Sequence, residues 1–441
     1  MNFTHLQKTD PVCFELIEKE TRRQETSLEL IPSECIASQS VIEALWSPFT
    51  NKYSEGYSSQ RYYWWNEVVD EVEQLAIARA KIAFPWVTHV NVQAYSGSPA
   101  NMAIFNALCN MWDTIMGLEL AQWWHLTHGH KVSASSKFFN AVQFWLNENG
   151  YIDLEQVETL AQEHKPKLII VWFTAYSRAF PFAEFQRIAD SVWAYLMADL
   201  SHISGLVVAW VHTSPVPYVD VIMTTTHKTL KWPRGALIMT TEVGLKKDPE
   251  LAIKIDKSVF PGLQWGPHNH QTLAIAVALW ETQKSEFTAM MQATVDNAKI
   301  MASELQSYGF EIAAGGTDTH LVLAWVGKGR GWFVQDALDK AWITLNKNTI
   351  PNEPCSAFNP SGIRLGTPII SMRWMWETQV KRIAAWIHEI NQLIQDFQYL
   401  EDKEARKKQK QEFAAFIQNH TRLKEIRTEV EKLCLSYPIY S

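Results

Sequence analysis

The sequence predicts an α/β protein whose core is a mostly parallel β-sheet flanked by helices. Short apolar runs of strand length alternate with longer segments of helical periodicity, which is typical of parallel strands joined by right-handed crossovers. Several of these runs end directly on polar residues, where open α/β sheets bind their ligands. The length of 441 residues, 47% of them hydrophobic, is sufficient for a large core and more than one domain.

The elements follow one another in a regular order. A long helix near residue 270 leads out of the sheet region, so we predict an N-terminal helical arm (1–30), a large domain (31–280) and a smaller α+β domain (281–441). The predicted strands span residues 89–93, 113–118, 167–171, 194–199, 219–223 and 236–240. The predicted helices span residues 11–29, 67–84, 100–111 and 184–192, with a charged helix near 401–410.

Charge, cysteine content and hydropathy exclude several classes of protein. A net charge of -7 and a pI of about 6.1 do not favour a nucleic-acid or anionic-membrane partner. The five cysteines have no paired spacing, so neither a disulfide framework nor a zinc motif is indicated. The N-terminal residues lack the apolar core of a signal peptide, and no apolar run has the length of a membrane span. We therefore expect a cytoplasmic protein.

The stretch 219–228 is the most informative in the chain. It begins as an apolar run and ends in three threonines, His227 and Lys228. A lone amine at the carboxyl end of a buried strand suits a Schiff-base lysine, which must be partly desolvated to be neutral and nucleophilic near pH 7. Taken alone, the decapeptide fits a strand followed by a solvated lysine equally well.

An acid at the end of the preceding apolar run favours the Schiff-base interpretation. Residues 194–199 close on Asp199, and Ser201 and His202 follow. Enzymes that use pyridoxal phosphate need a lysine for the cofactor's aldehyde and an acid that keeps the pyridine nitrogen protonated. A small polar turn, Ser96-Gly97-Ser98, lies between a strand and a helix and suits a phosphate cradle, although a helix cap without a ligand is commoner.

The segment 125–130 contains three histidines, a spacing that could suggest a metal site. No third-ligand pattern and no HExxH motif accompanies it, so we predict no metal site.

Together these blocks resemble the serine hydroxymethyltransferase family, from Leu30 to Tyr440 and in the family's order. Two positions depart from the family pattern: Cys35 replaces an asparagine, and Thr174 replaces the usual serine while keeping a hydroxyl. The blocks are LIPSE (30–34), NKYSEGY (51–57), RYY (61–63), NVQAYSGSPAN (91–101), HLTHG (125–129), TTTHKTL (224–230), NKN (346–348) and SGIRLGTP (361–368).

The resemblance implies a fold and a reaction. The fold is that of the fold-type I, aspartate aminotransferase-like, pyridoxal phosphate-dependent transferases, assembled as a homodimer or a tetramer of dimers with shared sites. The reaction converts serine and tetrahydrofolate reversibly into glycine and 5,10-methylenetetrahydrofolate, with pyridoxal 5'-phosphate as cofactor. The alternatives are a folate-independent threonine aldolase, or a catalytically dead homologue with a binding role.

The resemblance also assigns roles to individual residues. Lys228 carries the cofactor, Asp199 pairs with the ring nitrogen, His125 stacks on the ring, Arg364 clamps the substrate carboxylate, and Glu55 handles protons near the hydroxymethyl group. The implied catalytic residues are Lys228, Glu55, His227, His125, Asp199 and Thr225. The implied cofactor contacts are Ser96, Gly97, Ser98, His125, Thr174, Asp199, His202, His227, Lys228, Arg234, Tyr53 and Gly266. The implied substrate contacts are Ser33, Tyr63 and Arg364. The implied folate contacts are Glu55, Tyr62, Leu120, Trp124, Leu126, Asn348, Ser356 and Phe358.

One feature of the composition conflicts with these motifs. Tryptophan outnumbers glycine, 20 to 18, and glycine is roughly 4% of the chain where about 7% is usual. Against the family pattern most tryptophans replace glycine, including those in turns beside strands and helices. The positions concerned include Trp64, Trp65, Trp112, Trp123, Trp124, Trp193, Trp232, Trp265, Trp342 and Trp374.

These substitutions suggest that many of the tryptophans are glycine in the living protein. Glycines of this kind supply a positive φ or a close backbone approach, which a bulky residue cannot do without strain. The hypothesis is that the source reads the codon UGA as glycine; Trp325 and Trp386 are the least certain candidates. The rival explanations are a decayed or deliberately mutated enzyme, or a lineage that repacked around the rings.

Overall fold

The computed structural model describes residues 3–119, 133, 135–172 and 174–440. The helices are α1 (Thr4–Thr9), α2 (Pro11–Thr26), α3 (Gln39–Leu45), α4 (Glu67–Ala83), α5 (Gly97–Leu108), α6 (Ser135–Phe138), α7 (Leu154–His164), α8 (Phe182–Ser191), α9 (Ser204–Val208), α10 (Glu242–Lys247), α11 (Leu251–Lys257), α12 (Asn269–Glu281), α13 (Ser285–Ser307), α14 (Gly331–Lys340), α15 (Pro368–Met372), α16 (Glu377–Leu393), α17 (Lys403–Asn419) and α18 (Thr421–Ser436). The strands are β1 (Leu28–Glu29), β2 (Gly56–Tyr57), β3 (Gln60–Arg61), β4 (Val87–Asn91), β5 (Thr114–Leu118), β6 (Asn140–Phe144), β7 (Leu168–Trp172), β8 (Tyr195–Asp199), β9 (Val221–Thr225), β10 (Ala236–Thr241), β11 (Glu311–Ile312), β12 (Leu321–Trp325), β13 (Ile343–Thr344), β14 (Asn346–Asn348) and β15 (Gly362–Gly366).

The chain forms two compact units. Residues 37–292 make up the sheet unit, and residues 1–36 together with 293–441 make up the split unit. The predicted domain boundaries near residues 30 and 280 stay a prediction.

The sheet unit is built on seven strands in the order β4-β10-β9-β8-β7-β5-β6. Only β10 runs antiparallel to its neighbours, so the other six strands share one direction. The predicted mostly parallel α/β sheet is therefore confirmed. Strands β7 and β9 are buried at every position, because both faces of such a sheet are covered and the runs are apolar throughout.

The carboxyl ends of the six parallel strands lie at one edge of this sheet, which we call the carboxyl edge. Helix α5 packs on the sheet, where Ile104 and Phe105 share a buried cluster with Met197 and Met223. It follows β4 and begins at the carboxyl edge. The order of strands thus brings the segments after β4, β7, β8 and β9 to the same edge.

The split unit contains a four-stranded antiparallel sheet in the order β11-β12-β15-β14 and a short parallel pair, β1 with β13. Its buried core joins Leu28 and Leu30 to helices α13, α14, α16 and α18. Arg373, only 1% exposed, donates hydrogen bonds to the carbonyl oxygens of Gln24, Glu25, Ser27, Cys434 and Tyr437. This guanidinium ties the N-terminal and C-terminal segments of the unit together.

Several predicted elements have other bounds in the structure: the strand predicted at 89–93 is Val87–Asn91, and the helix predicted at 11–29 ends at Thr26. Two further differences lie near the carboxyl edge. Helix α5 begins at Gly97 rather than at residue 100, since Ser96 occupies the N-cap position and Pro99 is tolerated in a first turn. Strand β9 covers Val221–Thr225 instead of 219–223, because its β-branched threonines continue the ladder with β10. Thr225 is therefore the last strand residue, and Lys228 lies three positions beyond it. No helix in the described ranges is long and apolar enough to cross a membrane.

Seven of the twelve non-glycine residues with positive φ in the described ranges are tryptophan. A bulky L-residue is rare in the left-handed region, where it costs about 1–2 kcal/mol. The expectation that Trp112, Trp193, Trp342 and Trp374 occupy glycine-like turn positions is confirmed by their φ values. The seven are Trp65, Trp86, Trp112, Trp193, Trp210, Trp342 and Trp374, with φ between 58° and 71°.

Candidate active site

Lys228 lies in a tight loop that connects β9 to β10. The Thr226 amide donates to the Gly235 carbonyl over 3.1 Å, and the Lys231 amide donates to the Lys228 carbonyl over 2.8 Å. The Thr226 hydroxyl, fully buried, donates to the Pro233 carbonyl. These bonds fix the backbone on both sides of the lysine.

Asp199 is the last residue of β8 and is 0% exposed. One carboxylate oxygen accepts from the Ser201 amide at 3.0 Å and from the Ser201 hydroxyl, and the other accepts from Asn101 Nδ2 at 3.3 Å. The Ser201 hydroxyl oxygen in turn accepts from the Thr225 amide at 3.0 Å. This chain of bonds links the acid to the end of β9.

The N-terminus of α5 packs directly on the end of β9. A Cβ at Gly97 would lie 2.6 Å from Thr225 Cγ2, so only glycine permits this approach. The Thr225 hydroxyl is buried and has no hydrogen-bond partner in the described part of the chain. Ser96 and Ser98 lie at the first turn, where backbone N–H groups have no intrahelical acceptor.

Four further polar residues occupy the same edge. Burial, with the positive charges of Arg234 and Lys228, lowers the pKa of His227 to about 4, so this imidazole is neutral at pH 7. His202 is 2% exposed, and its carbonyl accepts from the Thr229 hydroxyl at 2.9 Å. Thr174 follows β7 by two positions and is half-buried, whereas Arg234 is exposed.

An indole ring also occupies this edge. Trp172, the last residue of β7, is 4% exposed and pairs in register with Asp199. The Lys228 Nζ lies 4.9 Å from the centre of its ring, and the His202 ring lies edge-on at 5.8 Å. The ring therefore fills the space in front of the lysine and beside the acid.

The loop that contains Tyr53, Glu55 and Tyr63 lies against the segment around Gly266. A Cβ at Gly266 would be 3.5 Å from the Tyr53 ring and 3.7 Å from Glu55 Cγ. The Tyr95 hydroxyl donates to the Gly266 carbonyl over 2.6 Å. Tyr53 and Tyr63 have ring centres 5.9 Å apart. The structure thus brings the predicted residues Tyr53, Glu55, Tyr63 and Gly266 together.

The predicted substrate contacts Arg364 and Ser33 belong to the split unit. Arg364 lies on β15, where its Nε donates to Asn346 Oδ1 over 3.0 Å, and burial lowers its pKa to about 10, which leaves it charged at pH 7. The Gly366 amide donates to the Leu30 carbonyl, and a Cβ at Gly366 would strike Pro32 at 2.5 Å. The turn that contains Ser33 therefore packs at the end of β15.

The predicted folate contacts have varied surroundings. In the split unit Asn348 lies on β14, Ser356 is exposed and Phe358 is 82% exposed. In the sheet unit Tyr62 is 69% exposed and meets Phe260 edge-on at 5.7 Å. The predictions for Leu120, Trp124, His125 and Leu126 lie outside the described residues.

Three positioning residues were not predicted. Asn101 and Ser201 bind the Asp199 carboxylate, and Arg61 binds the Ser54 and Gly56 carbonyls on either side of Glu55 at 2.9 and 2.6 Å. Arg61 is itself held by ion pairs to Asp70 at 2.8 Å and Glu73 at 3.1 Å. Asn101 could have been found as a polar residue one helical turn after Gly97, on the face that α5 buries.

The donors at the carboxyl edge fit pyridoxal phosphate. A buried acid, an amine one strand away, a helix N-terminus with flanking hydroxyls and the buried Thr225 hydroxyl correspond to the ring nitrogen, the aldehyde and the phosphate. The Trp172 ring, whose centre lies 4.9 Å from the Lys228 amine, conflicts with a ring-shaped ligand there.

Fold and site together define the class of protein. The chain has the α/β fold of the fold-type I pyridoxal phosphate enzymes, with a buried acid at the end of one strand and a lysine just after the neighbouring strand. The family model for serine hydroxymethyltransferase matches residues 6–387, so the chain belongs to the serine hydroxymethyltransferase family.

Individual relatives agree with this assignment. The chain is 48% identical to a serine hydroxymethyltransferase of Acidothermus cellulolyticus over 88% of this chain and 90% of that protein. It is 44% identical to the Legionella pneumophila enzyme and 43% identical to serine hydroxymethyltransferase 2 of Pseudomonas putida, each over 98% of this chain and 97% of the relative. These comparisons support the predicted hydroxymethyltransferase rather than a threonine aldolase.

Proposed function

We propose that this chain interconverts serine plus tetrahydrofolate and glycine plus 5,10-methylenetetrahydrofolate at the carboxyl edge of its seven-stranded sheet. The observation that carries the proposal is that buried Asp199 and Lys228 lie at the ends of two neighbouring strands, in a chain of this family. Pyridoxal phosphate, when bound, supplies an electron-accepting ring that stabilises negative charge on the substrate's α-carbon.

Lys228 and Asp199 are the residues that would hold the cofactor at its two ends. The Lys228 amine would bind the aldehyde carbon, and the rigid loop from Thr226 to Gly235 limits where that amine can reach. Asp199 would keep a proton on the pyridine nitrogen. Ser201 and Asn101 orient its carboxylate, and its burial strengthens the interaction because little water competes.

The phosphate would bind at the N-terminus of α5. Gly97 allows the backbone to approach β9, and Ser96, Ser98 and Thr225 add hydroxyl donors to the free N–H groups of the first turn. His227 stays neutral at pH 7 because of its lowered pKa, so it contributes a hydrogen-bonding imidazole rather than a second positive charge beside Lys228.

Arg364 and Glu55 would act on the substrates. Arg364 keeps its charge at neutral pH, and its planar guanidinium can bind the amino-acid carboxylate with two parallel hydrogen bonds. Glu55 would move a proton between the serine hydroxyl and the folate nitrogen. Arg61 fixes its loop through both flanking carbonyls.

A second copy of the chain would complete the site. Tyr53, Tyr62 and Tyr63 are 67%, 69% and 49% exposed beside Glu55, although large aromatic side chains are usually buried. Their exposure supports a homodimer in which these rings meet the partner subunit. Exposed aromatic clusters of this kind are enriched at protein interfaces.

The test is a substrate-dependence assay on protein purified from the organism that encodes it. We expect glycine to form from serine only when tetrahydrofolate is present, together with an equal amount of 5,10-methylenetetrahydrofolate. If serine cleavage does not depend on tetrahydrofolate, or if threonine is cleaved faster than serine, the protein is an aldolase instead. Absence of any turnover in protein that binds pyridoxal phosphate would contradict the proposal.

A further inference from the structure

Three helices end in the same hydrogen-bonded motif, with tryptophan at the left-handed position. After α8, the Trp193 amide donates to the Asp190 carbonyl and the Ala194 amide donates to the Ala189 carbonyl, at 3.3 and 2.9 Å. The corresponding bonds after α9 place Trp210 at this position, at 3.1 and 2.9 Å, and those after α15 place Trp374 there, both at 3.0 Å. This is the Schellman motif, whose left-handed residue is usually glycine.

Helix α13 ends in the same motif and has glycine there. The Gly309 amide donates to the Gln306 carbonyl over 2.9 Å, and the Phe310 amide donates to the Leu305 carbonyl over 3.0 Å. Gly309 has a φ of 87°. The chain therefore uses glycine in this geometry at one helix end and tryptophan at three others.

Two turns before strands show the same conflict. The Val87 amide donates to the Phe84 carbonyl over 3.4 Å, so Pro85 and Trp86 are the central residues of a four-residue turn, with Trp86 at φ 70°. The Asp113 amide donates to the Asn110 carbonyl over 3.1 Å, which places Trp112, at φ 71°, at the equivalent position. A positive φ at the third residue defines a type II turn, which favours glycine there and proline before it.

The rings gain little packing that could offset the backbone strain. Trp193 is 82% exposed, Trp86, Trp112 and Trp210 are between 61% and 64% exposed, and Trp374 is 51% exposed. A tryptophan retained for its ring is normally well buried. The backbone favours glycine at these positions, and the ring contacts described there, Trp86 with Trp210 at 6.1 Å and Trp374 with Trp376 at 6.2 Å, are between exposed side chains.

Trp386 shows what a tryptophan with a structural use looks like. It lies within α16, is 3% exposed, and donates its indole N–H to Glu429 Oε2 over 3.1 Å. The Arg382 guanidinium lies 4.8 Å from its ring centre. The chain thus contains tryptophans of two kinds, as expected if two different codons have both been translated as tryptophan.

We propose that the natural protein carries glycine at positions 86, 112, 193, 210 and 374, because its source decodes as glycine a codon that has been read as tryptophan. The same exchange applies at position 172, where the indole lies over Lys228 and pairs in register with Asp199. Glycine at 172 leaves the space between the amine and the acid open for a flat ring. The tryptophan at 386 is genuine.

The decisive experiment is peptide mass mapping of the protein purified from its source. We expect peptides covering residues 193, 210 and 374 to be lighter, at each site, by the difference between tryptophan and glycine. The peptide covering residue 386 is expected to keep the tryptophan mass and serves as the reference. Tryptophan at 193, 210 or 374 overturns the proposal. This readout does not depend on turnover, so it is independent of the proposed reaction.

A second measurement uses recombinant chain in the standard code. The triple variant Trp193→Gly, Trp210→Gly, Trp374→Gly is compared with the literal sequence by thermal unfolding, and Trp386→Gly is the matched control. We expect Tm to rise in the triple variant and to fall in the control. A fall in both overturns the proposal, because the rings at the helix ends would then stabilise the fold.

Discussion

The two edges of the seven-stranded sheet each hold a buried aspartate and a lysine, but they use them differently. At the amino edge, before β9, Asp220 and Lys247 bind each other at 2.9 Å, and Asp220 also accepts from the Leu196 amide at 2.7 Å. At the carboxyl edge, Asp199 accepts hydrogen bonds from a serine and an asparagine, while the Lys228 amine lies over an aromatic ring.

This difference separates a structural pair from a candidate catalytic one. The Asp220–Lys247 pair connects β8, β9 and α10, and its charges compensate each other within the fold. The hydrogen bonds described for Asp199 come from the Ser201 amide and hydroxyl and from the Asn101 side chain, which are neutral donors that hold its carboxylate in place. The same two residue types therefore stabilise the protein at one edge, and we propose that they supply its chemistry at the other.

The largest expected effect comes from removing the two lysines in turn. In Lys228→Gln, turnover of serine should fall by about 10³-fold or more, and the visible absorbance that pyridoxal phosphate acquires on binding should be lost. In the matched variant Lys247→Gln, stability should fall by about 3 kcal/mol because Asp220 keeps a buried, uncompensated charge. Absorbance titration and urea unfolding measure the two effects. An unchanged spectrum in Lys228→Gln removes Lys228 from its role.

Replacing the two aspartates should also distinguish the carboxyl edge, where we expect a loss of activity, from the amino edge, where we expect a loss of stability. Asp199→Asn keeps the shape and the hydrogen-bonding reach of the side chain, so the fold should persist while kcat falls by about 10²- to 10³-fold. Asp220→Asn should lower stability without changing kcat of the folded fraction. Equal kcat losses in both variants would show that the carboxyl edge has no special part in the chemistry.

Lowering the pH should destabilise the folded protein through His227, which lies at the carboxyl edge. Its pKa is about 4 in the folded protein against 6.5 for an ordinary histidine, so the unfolded chain takes up a proton first as pH falls from 6.5 towards 4. The folded state should lose up to about 3 kcal/mol across this window. Unfolding of His227→Gln across the same pH range should show a shallower loss; identical slopes would mean that His227 is not desolvated.

The smallest effects concern two threonines. Thr225→Val removes a buried hydroxyl that has no partner in the described part of the chain, so the cofactor-free protein should gain about 1 kcal/mol while affinity for pyridoxal phosphate falls about tenfold. Thr241, whose hydroxyl binds the Val219 carbonyl and caps α10, is the amino-edge control. Thr241→Val should cost about 1 kcal/mol and leave cofactor affinity unchanged. Unchanged affinity in Thr225→Val would exclude its hydroxyl from the site.

Sequence patterns predicted those parts of the site that depend on strand ends. Asp199 and Lys228 each follow a recognisable apolar run, and the chemistry of the pair implied that their strands are close together, as β8 and β9 are. The predicted position of β9 along the sequence was wrong by two residues, because the apolar segment and the threonine segment are both compatible with a strand. The bond from the Thr225 amide to Ser201 depends on that position.

Long-range packing accounts for the rest of what the sequence did not predict. The sequence around Arg61 does not indicate its role. Its partners Asp70 and Glu73 lie on α4, and the carbonyls that it binds lie on an irregular loop. Residues 1–36 share a compact unit with residues 293–441, through contacts such as Gly366 with Leu30. Separations of this length leave no periodic trace in the sequence.

The central claim is that Lys228 is the residue that holds pyridoxal phosphate. The most direct test is to incubate protein purified from its source with the cofactor, reduce the complex with borohydride, and map the labelled peptide by mass. We predict a single label on the peptide that contains Lys228, at one per chain. A label on any other lysine, or no label on protein that is folded, would contradict this account.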